Sequence, residues 1–159
     1  MLMNWHKAPW FLLALGVLLL DQGTKWLAET HLYLHQPVEL LPLFQLTLVY
    51  NEGAAFSFLA DAGGWQRWAF SIFAILLTIV LSVWLLRLPR GERLSAFALS
   101  LVIGGALGNL VDRLRTGRVV DFLDLHWQGW HWPAFNLADS AITLGVVLLF
   151  LSSLRENKG

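Results

Sequence analysis

Four long apolar stretches alternate with shorter polar segments along the 159 residues. The first, about residues 9–28, reaches the roughly 20 residues that a membrane helix needs. Asp21 and Lys25 interrupt it at i and i+4, in the acid-first order that favours a pair on one helix face. Its basic start (Lys7) followed by an apolar run resembles a secretory signal peptide, but no small-x-small pattern follows Leu20, so a retained membrane helix is the better reading. The second stretch, 66–87, has no charged residue between Trp68 and Leu86. The third, 94–112, carries Gly104, Gly105 and Gly108, small residues that let helix backbones approach closely. Asn109, Asp112 and Arg113 share one face near its end. The fourth, 136–155, opens with Asn136-Leu137-Ala138-Asp139, where Asn136 suits an N-cap and Asp139 the reciprocal position of a capping box.

The segment from His31 to Ala60 has a different pattern. Pro37 and Pro42 break helices, while Val38–Leu41 and Phe44–Tyr50 have strand character. A small sheet lying on the membrane surface is expected, with a flap, over about 31–62. Asn51 and Gly53 suit a turn at its exit, and Ala54–Leu59 suits a short interfacial helix or a mobile flap. Leu114–Pro133 reads as a loop resting on the interface through Trp127, Trp130 and Trp132. The expected fold is a membrane all-α protein. It has one domain over 1–159, a bundle of four transmembrane helices, a small extracytoplasmic β-sheet and a short interfacial helix.

Composition supports the membrane reading. The chain is 57% hydrophobic and only 14% charged, against roughly 25% charged in soluble domains. Zero formal net charge gives no reason to expect nucleic acid. The absence of cysteine excludes disulfides, thiolate nucleophiles and Cys-ligated metals. The five histidines show no HExxH-like spacing and no Gly-rich phosphate loop follows a strand, so neither metal nor cofactor is expected. With both termini cytoplasmic, six Lys and Arg fall on the inner side and five on the outer, a bias that decides little.

Counting spans is more informative. Asp21–Lys25, Asn109–Asp112, Asn136–Asp139, the surface sheet with Asn51 and the segment with Asp121 all fall at one face of the membrane. Ionisable groups gathered there are candidate functional residues. By itself Asp139 reads slightly better as a cap than as a catalyst. A second carboxylate in apolar surroundings, Asp121 in Val119-Val120-Asp121-Phe122, changes that balance. Two neighbouring carboxylates share a proton, so one activates water while the other protonates a leaving amine. Asp21 has Lys25 as a partner, Asp112 has Arg113 or Arg115, and Asp124 reads as a solvated loop residue. A Ser–Lys dyad of Lys25 with Ser57 or Ser140 is the weaker reading, because Asp21 would keep the lysine charged.

Five blocks carry a resemblance: Asp21–Lys25 (DQGTK), Asn51–Ser57 (NEGAAFS), Gly104–Arg113 (GGALGNLVDR), Val119–Phe122 (VVDF) and Phe135–Ile142 (FNLADSAI). In this order, the chain resembles the lipoprotein signal peptidases, the bacterial type II signal peptidases. The resemblance implies an aspartic endopeptidase of the bacterial inner membrane with cytoplasmic termini and an active site near the outer surface. It implies cleavage of diacylglyceryl-prolipoproteins just before the lipidated cysteine, and inhibition by globomycin-type cyclic peptides. Carried over, Asp121 and Asp139 are the catalytic pair. Asp21, Lys25, Asn51, Gly53, Asn109, Asp112, Arg113, Asn136 and Ala138 match positions that shape or support the site. Membrane lipids are its surroundings, and a monomer is expected. Two other classes compete. A small proton-linked transporter would spread polar groups through both membrane faces, and a capped-helix scaffold would leave Asp121 without a purpose.

Overall fold

The computed structural model describes residues 5–53 and 65–156. The expected interfacial helix or flap at Ala54–Leu59, and Ser57 with it, lies outside the described residues. The four apolar stretches are helices: α1 (Ala8–His31), α2 (Trp65–Arg87), α3 (Arg93–Thr116) and α4 (Leu137–Glu156). Each is long and apolar enough to cross a bilayer.

Helix α3 is the axis of the bundle. In its apolar span 78% of residues are buried, against 17–28% in the other three. Its glycines explain how α1 and α4 both come so close. A Cβ on Gly104 would sit 2.5 Å from the Ala14 carbonyl oxygen of α1, and one on Gly105 2.5 Å from the Ala138 carbonyl oxygen of α4. Helix α2 contributes Leu81 and Leu85 to a core shared with Ala14, Ala96, Leu99, Val102 and Ile103. Large apolar side chains such as Leu19, Phe73, Val80 and Phe150 point outward, as expected where the surroundings are lipid. The deepest-buried side chains include Asn136, Asp21, Asp121 and Ser100 beside Leu99 and Ile103. The interior is therefore where the polarity is concentrated.

A four-stranded antiparallel sheet caps one end of the bundle, in the order β1 (Val38–Leu41), β2 (Phe44–Asn51), β3 (Val119–Trp127), β4 (Trp130–His131). Two of these strands lie where a loop was expected, within Leu114–Pro133. Gly117, at φ 83°, ends α3 in the left-handed conformation, and its N–H donates to the Arg113 carbonyl at 3.1 Å. The chain then turns straight into β3, whose Val120 and Phe122 pack with Leu48 and with Ala28 of α1. Gln128 and Gly129, both at positive φ, close the two-residue hairpin to β4.

Strand β3 also fixes the start of α4. The N–H groups of Phe122 and Leu123 donate to the Phe135 carbonyl at 3.0 and 2.8 Å, and the Phe135 N–H donates to the Leu123 carbonyl at 3.0 Å. The segment leading into α4 is thereby stitched to the strand that carries Asp121.

Candidate active site

Asn136 is the hinge point of the site. It is fully buried and precedes the first residue of α4. Its Oδ1 accepts the Asp139 N–H at 2.9 Å, while Asp139 Oδ2 accepts the Asn136 N–H at 3.3 Å. This is the reciprocal capping box expected from the sequence. The Asn136 side-chain amide also donates to Asp121 Oδ1 at 2.7 Å and to Asn109 Oδ1 at 3.1 Å. One asparagine thus caps the start of a helix, holds one aspartate by its side chain and positions another through the cap.

The two aspartates reach this point from different elements. Asp121 comes from β3, facing Val49 of β2 in the register of the sheet. Asn51, at the end of β2, donates from Nδ2 to Asp121 Oδ2 at 3.0 Å, and its Oδ1 accepts the Gly53 N–H at 2.9 Å. Gly53, at φ 91°, makes the turn that this contact closes. Asp139 comes from the first turn of α4, and its Oδ1 accepts from Asn109 Nδ2 of α3 at 2.7 Å. Both carboxylates are therefore held by neutral amide donors. Burial, followed by the nearby charge of Asp139, pushes the Asp121 carboxyl up to about 7, against the opposing pull of Asn51, Asn136 and Lys25.

A second cluster lies behind the first. Lys25 of α1 is buried and donates to Asp21 Oδ2 at 2.8 Å, Asp112 Oδ2 at 2.8 Å and Asn109 Oδ1 at 2.9 Å. An ammonium has three hydrogens, and all three find acceptors. Asp21 Oδ1 accepts the Ala138 N–H at 2.9 Å, tying α1 to the first turn of α4. Asp112 Oδ2 also accepts the Val120 N–H at 3.2 Å, tying α3 to β3. The expected partner of Asp112, Arg113 or Arg115, is thus replaced by Lys25 and by Gln22, whose Nε2 donates to Asp112 Oδ1 at 2.8 Å. Adjacent helix residues diverge in direction, so Arg113 instead donates to the Asn109 carbonyl at 3.4 Å and lies over the Phe70 ring.

All the expected site residues gather here, and two others join them. Gln22, inside the DQGTK block, donates to Asp112 Oδ1 and to the Gly108 carbonyl at 3.1 Å. Gly108 leaves room for the Asp21 carboxylate, which a Cβ at that position would strike. Asp124 differs from expectation, being buried within the sheet and accepting from Gln45 at 2.6 Å, Thr47 at 3.0 Å and His131. Burial pushes its carboxyl up, but these hydrogen bonds and the His131 charge outweigh burial and hold it below the ordinary carboxylate range. Ser140 donates to the Asn136 carbonyl at 2.9 Å, and Lys25 is committed to its three acceptors, so these two form no dyad. Among the described residues, no group of three or more His, Cys, Asp or Glu is arranged to hold a metal ion.

Asp139 is half-buried and opens onto a groove of about 630 Å³ lined by Leu125, Trp132, Phe135, Ser140, Leu144 and Val147, among others. The arrangement offers two acids of unlike environment beside an apolar channel at a bundle end.

Known proteins resemble this chain in sequence and in fold. Residues 13–155 match the family model described as signal peptidase (SPase) II. The lipoprotein signal peptidase of Pseudomonas paraeruginosa is 53% identical over 154 residues, covering 96% of this chain and 91% of its own. That of Ectopseudomonas mendocina is 54% identical over 152 residues, covering 94% and 90%. A solved bacterial membrane enzyme superposes with a TM-score of 0.83 at 33% identity, covering 94% of this chain and 90% of its own. With the match running from α1 through α4, the chain belongs to the signal peptidase II family.

Proposed function

We propose that this peptidase removes the signal peptide from diacylglyceryl-modified prolipoproteins immediately before the lipidated cysteine, with Asp121 and Asp139 as its catalytic pair. The observation that carries this reading is the Asn136 bridge. It brings a strand aspartate and a helix-cap aspartate onto one network of neutral donors. An Asp121 carboxyl raised to about 7 suits a pair that holds one proton between its members near neutral pH. In that state the ionised carboxylate takes a proton from water as the water attacks the scissile carbonyl. The protonated partner then delivers its proton to the departing amine, and no covalent intermediate forms. The pair titrates as a unit, so the roles belong to the dyad.

The remaining residues serve the dyad. Asp21, Lys25 and Asp112, with Ala138 and Gln22, lock α1, α3 and α4 behind it. Asn51 with Gly53, and Asn109 with Asn136, aim the two carboxylates. Arg113 and these asparagines are the candidate donors to the substrate carbonyls or a developing oxyanion. The substrate has a membrane-spanning signal helix next to a lipidated cysteine, so its scissile bond lies near the interface. The apolar groove beside Asp139 suits such a substrate. The site faces the outer side of the bacterial inner membrane, both termini are cytoplasmic, and the enzyme works as a monomer among membrane lipids.

The test is cleavage of a lipidated prolipoprotein by the purified enzyme in lipid, with and without globomycin, comparing wild type with Asp121→Asn and Asp139→Asn. Cleavage blocked by globomycin and lost in both folded, membrane-inserted variants supports the reading. Full activity in either variant rejects it.

A further inference from the structure

The bundle end away from the aspartates holds a second polar recess. The starts of α1 and α3 and the turn between α2 and α3 enclose a cavity of about 310 Å³, lined by His6, Lys7, Trp10, Arg90, Glu92 and Arg93, among others. Fourteen residues separate Lys7 from Asp21, which is about 20 Å along a helix. Lys7 is only 3% exposed, yet its Nζ donates at 2.7 Å to a neutral group, the Leu88 carbonyl. Among the described residues, no carboxylate lies within ion-pair distance of Lys7, Arg90 or Arg93. A buried ammonium without a counter-charge is costly, and an anion at its open side would relieve that cost.

The surroundings add to the same deficit. With His6 neutral, the lining has three cations and one carboxylate, a net charge of plus two. The carboxylate, Glu92, already accepts from Ser95 at 3.3 Å. Helix α1 has no acidic residue in its first turn and no side-chain hydrogen bond at its N-cap, so the positive end of its dipole stays uncompensated, whereas Glu92 stands at the N-cap of α3. Arg90 and Arg93 are exposed at the rim, and the guanidinium fork matches phosphate oxygens. Pro9, Trp10 and Ala96 supply an apolar wall.

We propose that this recess binds a net-anionic phosphate group in contact with Lys7, Arg90 and Arg93. An anionic lipid headgroup and free phosphate share this chemistry, and the recess sits where two of the spans begin.

The test uses the full chain, purified in detergent and stripped of lipid, with thermal unfolding followed during titration. The probes are phosphatidylglycerol, phosphatidylcholine and inorganic phosphate, on wild type and on the double variant Arg90→Gln/Arg93→Gln. Phosphatidylglycerol is expected to raise the Tm of wild type well beyond the effect of net-neutral phosphatidylcholine. In the double variant the titration midpoint moves to about 25-fold higher concentration, from about fivefold per cation, with peptidase activity unchanged. A shift by inorganic phosphate as well assigns the site to the phosphate group itself, and a shift by the lipid alone assigns it to the intact lipid headgroup. Both support the proposal. Equal shifts from the two lipids, no shift from either anion, or the same midpoint in the double variant overturns it.

Discussion

Two pairs of aspartates share one end of the bundle and are held by opposite means. Asp21 and Asp112 meet a buried ammonium, Lys25, that contacts both at 2.8 Å. Asp121 and Asp139 meet the amides of Asn51, Asn109 and Asn136. The ammonium supplies one counter-charge that the two carboxylates share, so the first pair forms an ion-paired cluster that joins helices. An amide donor orients a carboxylate without neutralising it, so the second pair keeps its mutual repulsion and the appetite for a proton that goes with it. The residue type is the same in both, and the partner decides between structure and chemistry.

The largest effects should divide along this line. Asp121→Asn and Asp139→Asn are expected to lower cleavage on the order of 10²–10⁴-fold, the scale of a lost acid or base, with little change in thermal stability. Lys25→Met should do the reverse in kind. It leaves two buried carboxylates unpaired, at about 3–5 kcal/mol of stability, readable as a lowered unfolding midpoint in detergent. A Lys25→Met protein of wild-type stability with cleavage abolished would break the division and move Lys25 into the chemistry.

The division was only half legible in the sequence. Asp21 and Lys25 are four residues apart on one helix, and the Asn136–Asp139 cap spans three, so local geometry announces both. The four spans were legible for the same reason, since length and apolarity are local properties. Strand β3 was not, because its stability comes from pairing with β2, far away in the sequence, and from packing on α1. Without that pairing Asp124 reads as solvated, although Gln45 and Thr47 of β2 reach it across the sheet. The Lys25–Asp112 contact joins α1 to α3 and leaves no trace in spacing.

Smaller effects sharpen how closely the structural pair is packed. In Gly108→Ala the new Cβ would run into Asp21 Oδ2, lie 3.0 Å from Asp21 Cγ and lie 3.4 Å from the Ala138 Cβ. The overlap should cost about 1–3 kcal/mol, enough to exceed the roughly 1 kcal/mol that Ala gains over Gly in a helix. Gly23 of α1 has nothing within 4 Å of the same added atom, so Gly23→Ala should stabilise by about 0.5–1 kcal/mol. Unfolding midpoints of the two variants should therefore move in opposite directions. Matching shifts would mean that the Asp21 side of the bundle yields more readily than its close packing implies.

The subtlest test addresses the catalytic pair through its amide donors. Below about pH 7 Asp121 holds its proton; above it the carboxyl ionises beside Asp139 and the acid of the pair is lost. The rate should therefore fall on the alkaline side, with an apparent midpoint near 7 that belongs to the pair. The Asn51 hydrogen bond favours the ionised form of Asp121, so Asn51→Ala should make that carboxyl hold its proton to higher pH. One hydrogen bond of about 1 kcal/mol corresponds to a midpoint rise of roughly half to one pH unit, seen in the pH dependence of kcat/KM. If Asn51 served only to shape the strand end, its loss would lower the rate at every pH and leave the midpoint in place. A midpoint that moves upward ties this neutral donor to the proton of the dyad, whereas one that stays fixed or moves down would mean that the alkaline limb reports some other group.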